Sequence, residues 1–412
     1  LEYKSLPSLR QGLPRGFRWA AVKAGIKASG RTDVAISVAE KPASAAVLFT
    51  KNQVCAAPVT VGRRFMSETG GHVKAVVVNA GNANCATGAP GIAATEKTCA
   101  AAAEIFGCKA NEVFPSSTGI IGVPLPVDKL VNALPHAAKR LSNNNAAAED
   151  FATAIMTTDT KMKVSQAIVE ASETSVRIFG CCKGAGMIGP QLGPPHATML
   201  VYLFTDLAAD PPTLRELLGP AVEASFNSIS VDGDTSTNDT VLMLASGASG
   251  VEWKTAPRSF QDDFNEALLS VCKELAHAIV DDGEGVTHVV TLDVTGTQND
   301  ADAKTIAKSI AHSPLCKTAW SSADPNWGRI ICAAGYAGVS FDPNDVTVSI
   351  GGIRVFDHGV RAAGYDEAAV HEKMQQREYT IAVNLGKGPG HSRFLTCDLT
   401  VEYVHINADY ST

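Results

Sequence analysis

A chain of 412 residues exceeds one ordinary domain and has room for a large buried core. Hydrophobic residues make up 45% and charged residues 19%, the latter below the usual quarter, which points to surface buried between subunits. A formal net charge of −7 without any lysine- or arginine-rich run argues against nucleic acid as a partner and favours small soluble substrates.

The first thirty residues carry Lys4, Arg10, Arg15, Arg18, Lys23 and Lys27 against Glu2, a balance that hints at a transit peptide. They lack the apolar core of a signal peptide, and GFRWAAVKAGIK reads as mature protein. Strand-like runs follow at 33–39, 45–50, 73–81, 174–182, 197–206, 287–296, 346–356, 379–386 and 394–410, each bounded by Gly, Pro, Asn or Asp. Helices are expected at 91–106, 126–141, 146–156, 212–226, 261–280, 300–312 and 366–376. The clearest is 261–280, where Phe264, Ala267, Leu268, Val271, Leu275 and Ile279 share a face and Asp281-Asp282-Gly283 ends it. This mixture predicts an α/β or α+β protein, and the alternation in several strands predicts sheets covered on one face. The segment 312–329 is the longest irregular stretch, read as either functional or poorly ordered. A boundary after the long helix divides a core domain, 1–285, from a C-terminal α/β domain, 286–412. No apolar run approaches the ~20 residues that cross a bilayer, so no membrane partner is expected. The ten cysteines show no metal-ligand spacing, so no metal is expected and the thiols are read as reduced, mostly buried groups of an intracellular protein. Cys181 and Cys182 read as strand fillers, with a redox role as the alternative.

The chemistry concentrates around Ala197-Thr198. A cut between them leaves Thr198 with its own α-amine, whose reference pKa of about 7.7–8.0 lets it act as base for the adjacent hydroxyl without a His or Asp. Taken alone, a Gly-rich loop followed by Ala-Thr is also a plain turn before a strand. FPSSTGIIG (114–122) offers the Thr118 hydroxyl and an unobstructed Gly119 N–H, a pair suited to an oxyanion, or again a turn. The run 228–240 gathers Asp232, Asp234, Thr235, Thr237, Asn238 and Asp239. It lacks the closing Glu of a calcium loop, and reads as a helix N-cap with a polar network.

Together these segments resemble the ornithine acetyltransferase family, the bifunctional glutamate N-acetyltransferases of the cyclic arginine pathway. The resemblance is carried over nearly the whole chain by GFRWAAVKAGIKASGRTDVAI, PASAAVLFTKNQVCAAPV, AVVVNAGNANCATG, SSTGIIG, IMTTDT, KGAGMI, ATML, VDGDTSTNDT, DDGEGVT, DPNWGR and YVHINADYST. It implies an αββα core of the N-terminal-nucleophile type with a second, smaller α/β domain. It also implies self-cleavage into 1–197 and 198–412, which stay associated as an α2β2 assembly in the cytoplasm, or the mitochondrial matrix of a eukaryote. Thr198 is the implied nucleophile, Thr118 and Gly119 the oxyanion pair, and Thr157, Lys183, Thr198, Glu284, Asn407 and Thr412 the substrate contacts. The chain departs from the family in Gln191–His196, an approach to the Ala-Thr pair about four residues longer than the family's.

The implied reaction is ping-pong: Thr198 takes acetyl from N-acetylornithine, ornithine leaves, and glutamate accepts the group. No cofactor is implied, and acetyl-CoA stands open as a co-substrate because no phosphate-cradling motif is legible. Two other readings fit the same threonine: an amidase or aminopeptidase in which water replaces glutamate, and an uncleaved, non-catalytic amino-acid-binding protein.

Overall fold

The structure, a computed structural model, describes residue 9 and residues 12–172, 174–189 and 199–409. Its first half comprises β1 (Phe17–Val22), β2 (Val34–Phe49), α1 (Ala57–Glu68), β3 (His72–Asn82), α2 (Gly88–Phe106), β4 (Val113–Ile120), α3 (Val127–Ala138), α4 (Asn145–Ala154), β5 (Lys163–Ala171) and β6 (Thr174–Lys183). There follow β7 (Leu200–Thr205), α5 (Pro211–Glu223), β8 (Thr240–Ala245) and α6 (Arg258–Asp281). Strands β1 to β8 form one sheet in the order β4-β3-β2-β8-β7-β6-β5, with β1 also on β2.

That sheet is folded over at β2. Val34–Ala39 pair with β1, whereas Ser44–Phe49 pair with β8, and the register with β3 shifts between Val38 and Ala43. Pro42 falls inside this break, where a missing N–H costs no ladder bond. Strand alternation then makes two different interfaces. On β1, Phe17, Trp19 and Ala21 pack inward with Leu200, Tyr202 and Phe204 of β7, while Ala20 and Val22 pack outward with α2 and α3. On β7, Val201 and Leu203 pack with α5 and α6. Trp19 meets Phe179 and Phe204 edge-on at centroid distances of 5.8 and 5.4 Å, although β1 pairs with neither of their strands. The result is four layers, helix–sheet–sheet–helix, the αββα arrangement expected.

The second sheet runs β12-β11-β10-β13-β9-β14. It is built from β9 (Val289–Gly296), β10 (Thr347–Ile350), β11 (Ile353–Asp357), β12 (Val360–Arg361), β13 (Glu378–Asn384) and β14 (Gly388–Cys397). Helices α7 (Asp300–Ala311), α8 (Pro314–Ser321), α9 (Trp327–Gly335) and α10 (Glu367–Met374) accompany it, and α11 (Val401–Asp409) ends the described chain. Its core centres on Leu292, Ile306, Trp320, Ile381 and Phe394.

Several expectations need correction. Strands β7 and β8 are buried along their whole length, not on one face, because they lie between a second layer of strands and the helices α5 and α6. The irregular stretch 312–329 holds α8 and the start of α9. Ser313 caps α8 by accepting from Cys316 N–H, and Asn326 caps α9, so the Ser-Pro and Pro-Asn signals start helices instead of marking a loop. The C-terminal strand stops at Cys397. Tyr403 N–H donates to the Thr400 hydroxyl at 3.3 Å in the first turn of α11, which has no buried residue and so leaves no apolar face to reveal it. No helix begins in 228–240: a 3-10 turn, Phe226–Ser228, ends as the run starts, and the loop then leads straight into β8.

Candidate active site

Thr118 lies near the end of β4 and Lys183 ends β6, in opposite strand layers. The Lys183 ammonium donates to Thr118 Oγ1 at 3.2 Å. In the ladder Lys183 pairs with Leu200, two positions after Thr198 in sequence. Ala197, Thr198 and Thr412 lie outside the described residues.

The backbone at Thr118 is held by a polar belt where the parallel β3–β4 ladder becomes irregular. Ser117 Oγ donates to Asn79 Oδ1 at 2.6 Å, and Asn79 Nδ2 donates to the Asn82 carbonyl at 2.8 Å. Asn238 Nδ2 reaches the carbonyls of Ala83 and Ser117 at 2.6 and 2.9 Å, so the 228–240 run does supply a polar network, though not a cap. Gly119 has φ +132°, and a Cβ there would lie 2.5 Å from Asn82 N and closer still to Gly81. Only glycine fits. Asp239, buried beside Asn238, has its carboxyl pushed well above the usual range by burial, against the pull of Lys183.

Thr157 sits in the loop after α4. Its N–H donates to Asp159 Oδ2 at 2.9 Å, and its carbonyl accepts from Arg31 Nη2 at 2.8 Å. Asp159 Oδ1 accepts from Gly184 N–H and from Lys163 Nζ, each at 2.7 Å. Burial would raise the Asp159 pKa, but Lys163 and then Lys183 outweigh it and hold the carboxyl well below the usual range. Lys27 donates to the carbonyls of Thr32 and Ala154 at 2.7 and 2.9 Å. Burial, then Arg31, lowers its pKa to about 8, against Asp33 and Asp159.

Glu284 follows α6, and its N–H donates to the Ala185 carbonyl at 2.9 Å, directly after the Lys183–Gly184 turn. Asn407 on α11 donates from Nδ2 to Glu284 Oε2 at 2.9 Å. Gly186 lies against the same carboxylate, with its position for a Cβ 2.5 Å from Glu284 Cδ. Tyr403 OH donates to Asp232 Oδ2 at 3.3 Å, and Asp232 in turn accepts from the N–H groups of Met187 and Ile188.

The segment 183–188 is thus a hub. It links Thr118 through Lys183, Thr157 through Asp159, Glu284 through Ala185, and Asn407 through Glu284. Sequence reasoning named those residues but missed Asp159, Lys163, Asp282 and Lys27. The first three lie in or beside IMTTDT and DDGEGVT, but charged residues in polar segments look solvated until tertiary structure buries them. A pocket lined by Glu170, Val251, Phe260 and Asp263 shares none of these groups. Among the described residues no cluster suits a metal ion. All ten cysteines are unpaired, and Cys181 and Cys182 fill opposite faces of β6.

The model of the ArgJ family matches residues 18–412. The chain belongs to the ArgJ family. It is 44% identical to the arginine biosynthesis bifunctional protein ArgJ of Agrobacterium fabrum, over 99% of this chain and 97% of that protein. Against the protein of the same name from Nitratidesulfovibrio vulgaris, identity is 42% over 96% of this chain and 98% of that one. Among solved structures it is similar to the ornithine acetyltransferase of Mycobacterium tuberculosis complexed with ornithine, with 37% identity and a TM-score of 0.39, over 44% of this chain and 96% of that one.

Proposed function

We infer that this ArgJ-family protein is an acetyltransferase of arginine biosynthesis that moves the acetyl group of N-acetylornithine to glutamate through an acetyl-threonine at Thr198. The observation that carries this reading is the bond from Lys183 to Thr118. An ammonium only donates, so the Thr118 hydroxyl accepts from it and keeps its own proton for another acceptor. A neighbouring positive charge also makes that hydroxyl a stronger donor. With the Gly119 N–H beside it, Thr118 is equipped to meet an oxygen that gains negative charge as a carbonyl is attacked.

In this reading the chain first cuts itself between Ala197 and Thr198. The Thr198 hydroxyl attacks the Ala197 carbonyl, the acyl group shifts from nitrogen to oxygen, and water hydrolyses the ester. The freed amine then takes the hydroxyl proton as Thr198 attacks the acetyl carbonyl of N-acetylornithine, and the proton passes to the departing ornithine amine. Glutamate enters, its α-amine attacks the acetyl ester, and N-acetylglutamate leaves. Both substrates are α-amino acids, so the Lys183 ammonium suits their shared carboxylate. Glu284, steadied by Asn407, suits the ornithine ammonium, and Thr157 and Thr412 complete the contacts. No cofactor enters these steps; acetyl-CoA is the second donor to try. The two fragments are proposed to assemble as α2β2, and ten unpaired cysteines suit a reducing compartment such as the cytoplasm.

The test combines intact mass with an acetyl-transfer assay. Wild type should yield two polypeptides split before Thr198, with transient acetylation of the second, while Thr198→Ala stays whole and inactive. Cleavage of Thr198→Ala would place the scissile bond elsewhere, and acetate release undiminished by glutamate would make the enzyme a hydrolase.

A further inference from the structure

One carboxylate holds two separate parts of this site. Asp159 receives the Thr157 N–H on one oxygen, and the Gly184 N–H with the Lys163 ammonium on the other. Asp159 and Lys163 are 3% and 1% exposed. Lys163 also donates to Asp282 Oδ2 at 2.5 Å, and Asp282 accepts from the N–H groups of Thr160 and Lys161 at 3.0 and 3.2 Å and from the Thr160 hydroxyl. Burying such a cluster is no general route to stability, because apolar side chains of similar volume often do as well. Its distinctive effect here is geometric: it fixes the backbone of Thr157 relative to the turn that carries Lys183.

We propose that Asp159 is a positioning residue for acetyl transfer, holding Thr157 and the Lys183–Gly184 backbone at the separation the amino-acid substrates require. The proposal rests on the acetyl-transfer reading above. Asp159 never meets the acetyl group; it sets where Lys183 and Thr157 stand. Asp282 shares Lys163 but contacts neither Thr157 nor Gly184, so the two aspartates have different consequences. An amide at 159 has one acceptor for two opposed sets of donors, and one set must be lost. An amide at 282 keeps its oxygen toward Lys163 and turns its NH2 to the Thr160 hydroxyl, which can accept.

The experiment measures transfer from N-acetylornithine to glutamate, with thermal melting, for full-length wild type, Asp159→Asn, Asp159→Glu and Asp282→Asn. Asp159→Asn should lose roughly 10–100-fold in kcat/KM, mainly through raised KM for both substrates. Asp159→Glu keeps the ion pair with Lys163 and the fold but displaces both backbone anchors, so its KM should rise as well. Asp282→Asn should stay close to wild type. Wild-type KM in a folded Asp159→Asn, or in Asp159→Glu should the asparagine variant not fold, overturns the proposal. Equal losses at 159 and 282 overturn it too, since the cluster would then be a common structural tie. A wild-type protein that transfers no acetyl at all would instead defeat the underlying functional reading.

Discussion

Lys183 and Thr118 face each other across the two strand layers, the ammonium donating to the hydroxyl at 3.2 Å. The contact joins the end of β6 to the end of β4, strands that share no ladder. Removing either partner should therefore impair chemistry more than folding. Thr118→Val is expected to lower kcat by ~10²–10³, with little change in melting temperature. Lys183→Met should raise KM for both substrates by about tenfold or more, as the loss of a charged hydrogen bond does. Steady-state kinetics beside thermal melts checks both, and an unchanged kcat for Thr118→Val would remove its hydroxyl from the reaction.

Two glycines with left-handed φ separate conformational strain from steric exclusion. Gly70, at φ +63°, has nothing within 4 Å of the place a Cβ would take, and Gly70→Ala should cost only about 1–2 kcal/mol. Gly119→Ala would drive a methyl into the Gly81–Asn82 backbone, at a half-buried strand end where the obstacle is main chain and not a side chain that could swing aside. A cost beyond about 4 kcal/mol, read as poor solubility or a collapsed melting transition, is the expected result.

Gly186→Ala tests Glu284 without altering it. The added methyl occupies the space of the carboxylate, whose side chain can swing away from Asn407. The expected outcome is a raised KM for N-acetylornithine, by about tenfold, with nearly unchanged KM for glutamate, which has no side-chain ammonium. Equal effects on both substrates would place Glu284 against the part they share.

Lys27 supplies a pH signature. Its folded pKa, about 8, lies below the ordinary lysine value of 10.5. Between those values the unfolded chain binds the extra proton, so stability rises with pH across this window. The contribution is fully present above about 10.5 and is lost as pH falls through 8. Comparing wild type with Lys27→Met by denaturant unfolding from pH 7 to 11 isolates it, with an expected span of up to about 3 kcal/mol. A pH-independent difference between the two would show that Lys27 titrates normally.

Much of the order of strands and helices was legible because β-branched runs and the apolar face of α6 are local signals, but β1, α1 and β5 were not marked, and β2 was read as two strands. Thr118 and Gly119 stand out in the sequence as a hydroxyl beside a glycine, and the structure adds the Lys183 ammonium 3.2 Å from Thr118 Oγ1. The folding over of the first sheet was not legible, since nothing local in β2 states that its two halves pair with different strands. Helix α11 escaped notice for the opposite reason: it buries nothing, so Val401, Tyr403 and Val404 mimic an exposed strand. The Asp159–Lys163–Asp282 cluster depends on residues more than a hundred positions apart, and only the packed chain brings them together.

The strand order β2-β8-β7-β6 carries a consequence for maturation. Breaking the chain before Thr198 would assign β7 and β8 to the downstream piece, yet they sit wedged between β2 and β6 of the upstream piece. Neither product could leave without unzipping two ladders, and neither could rebuild this sheet alone. Correct pairing must therefore be reached by the uncut precursor, so halves synthesised from separate messages should recombine poorly, while a nicked enzyme should survive dilution intact.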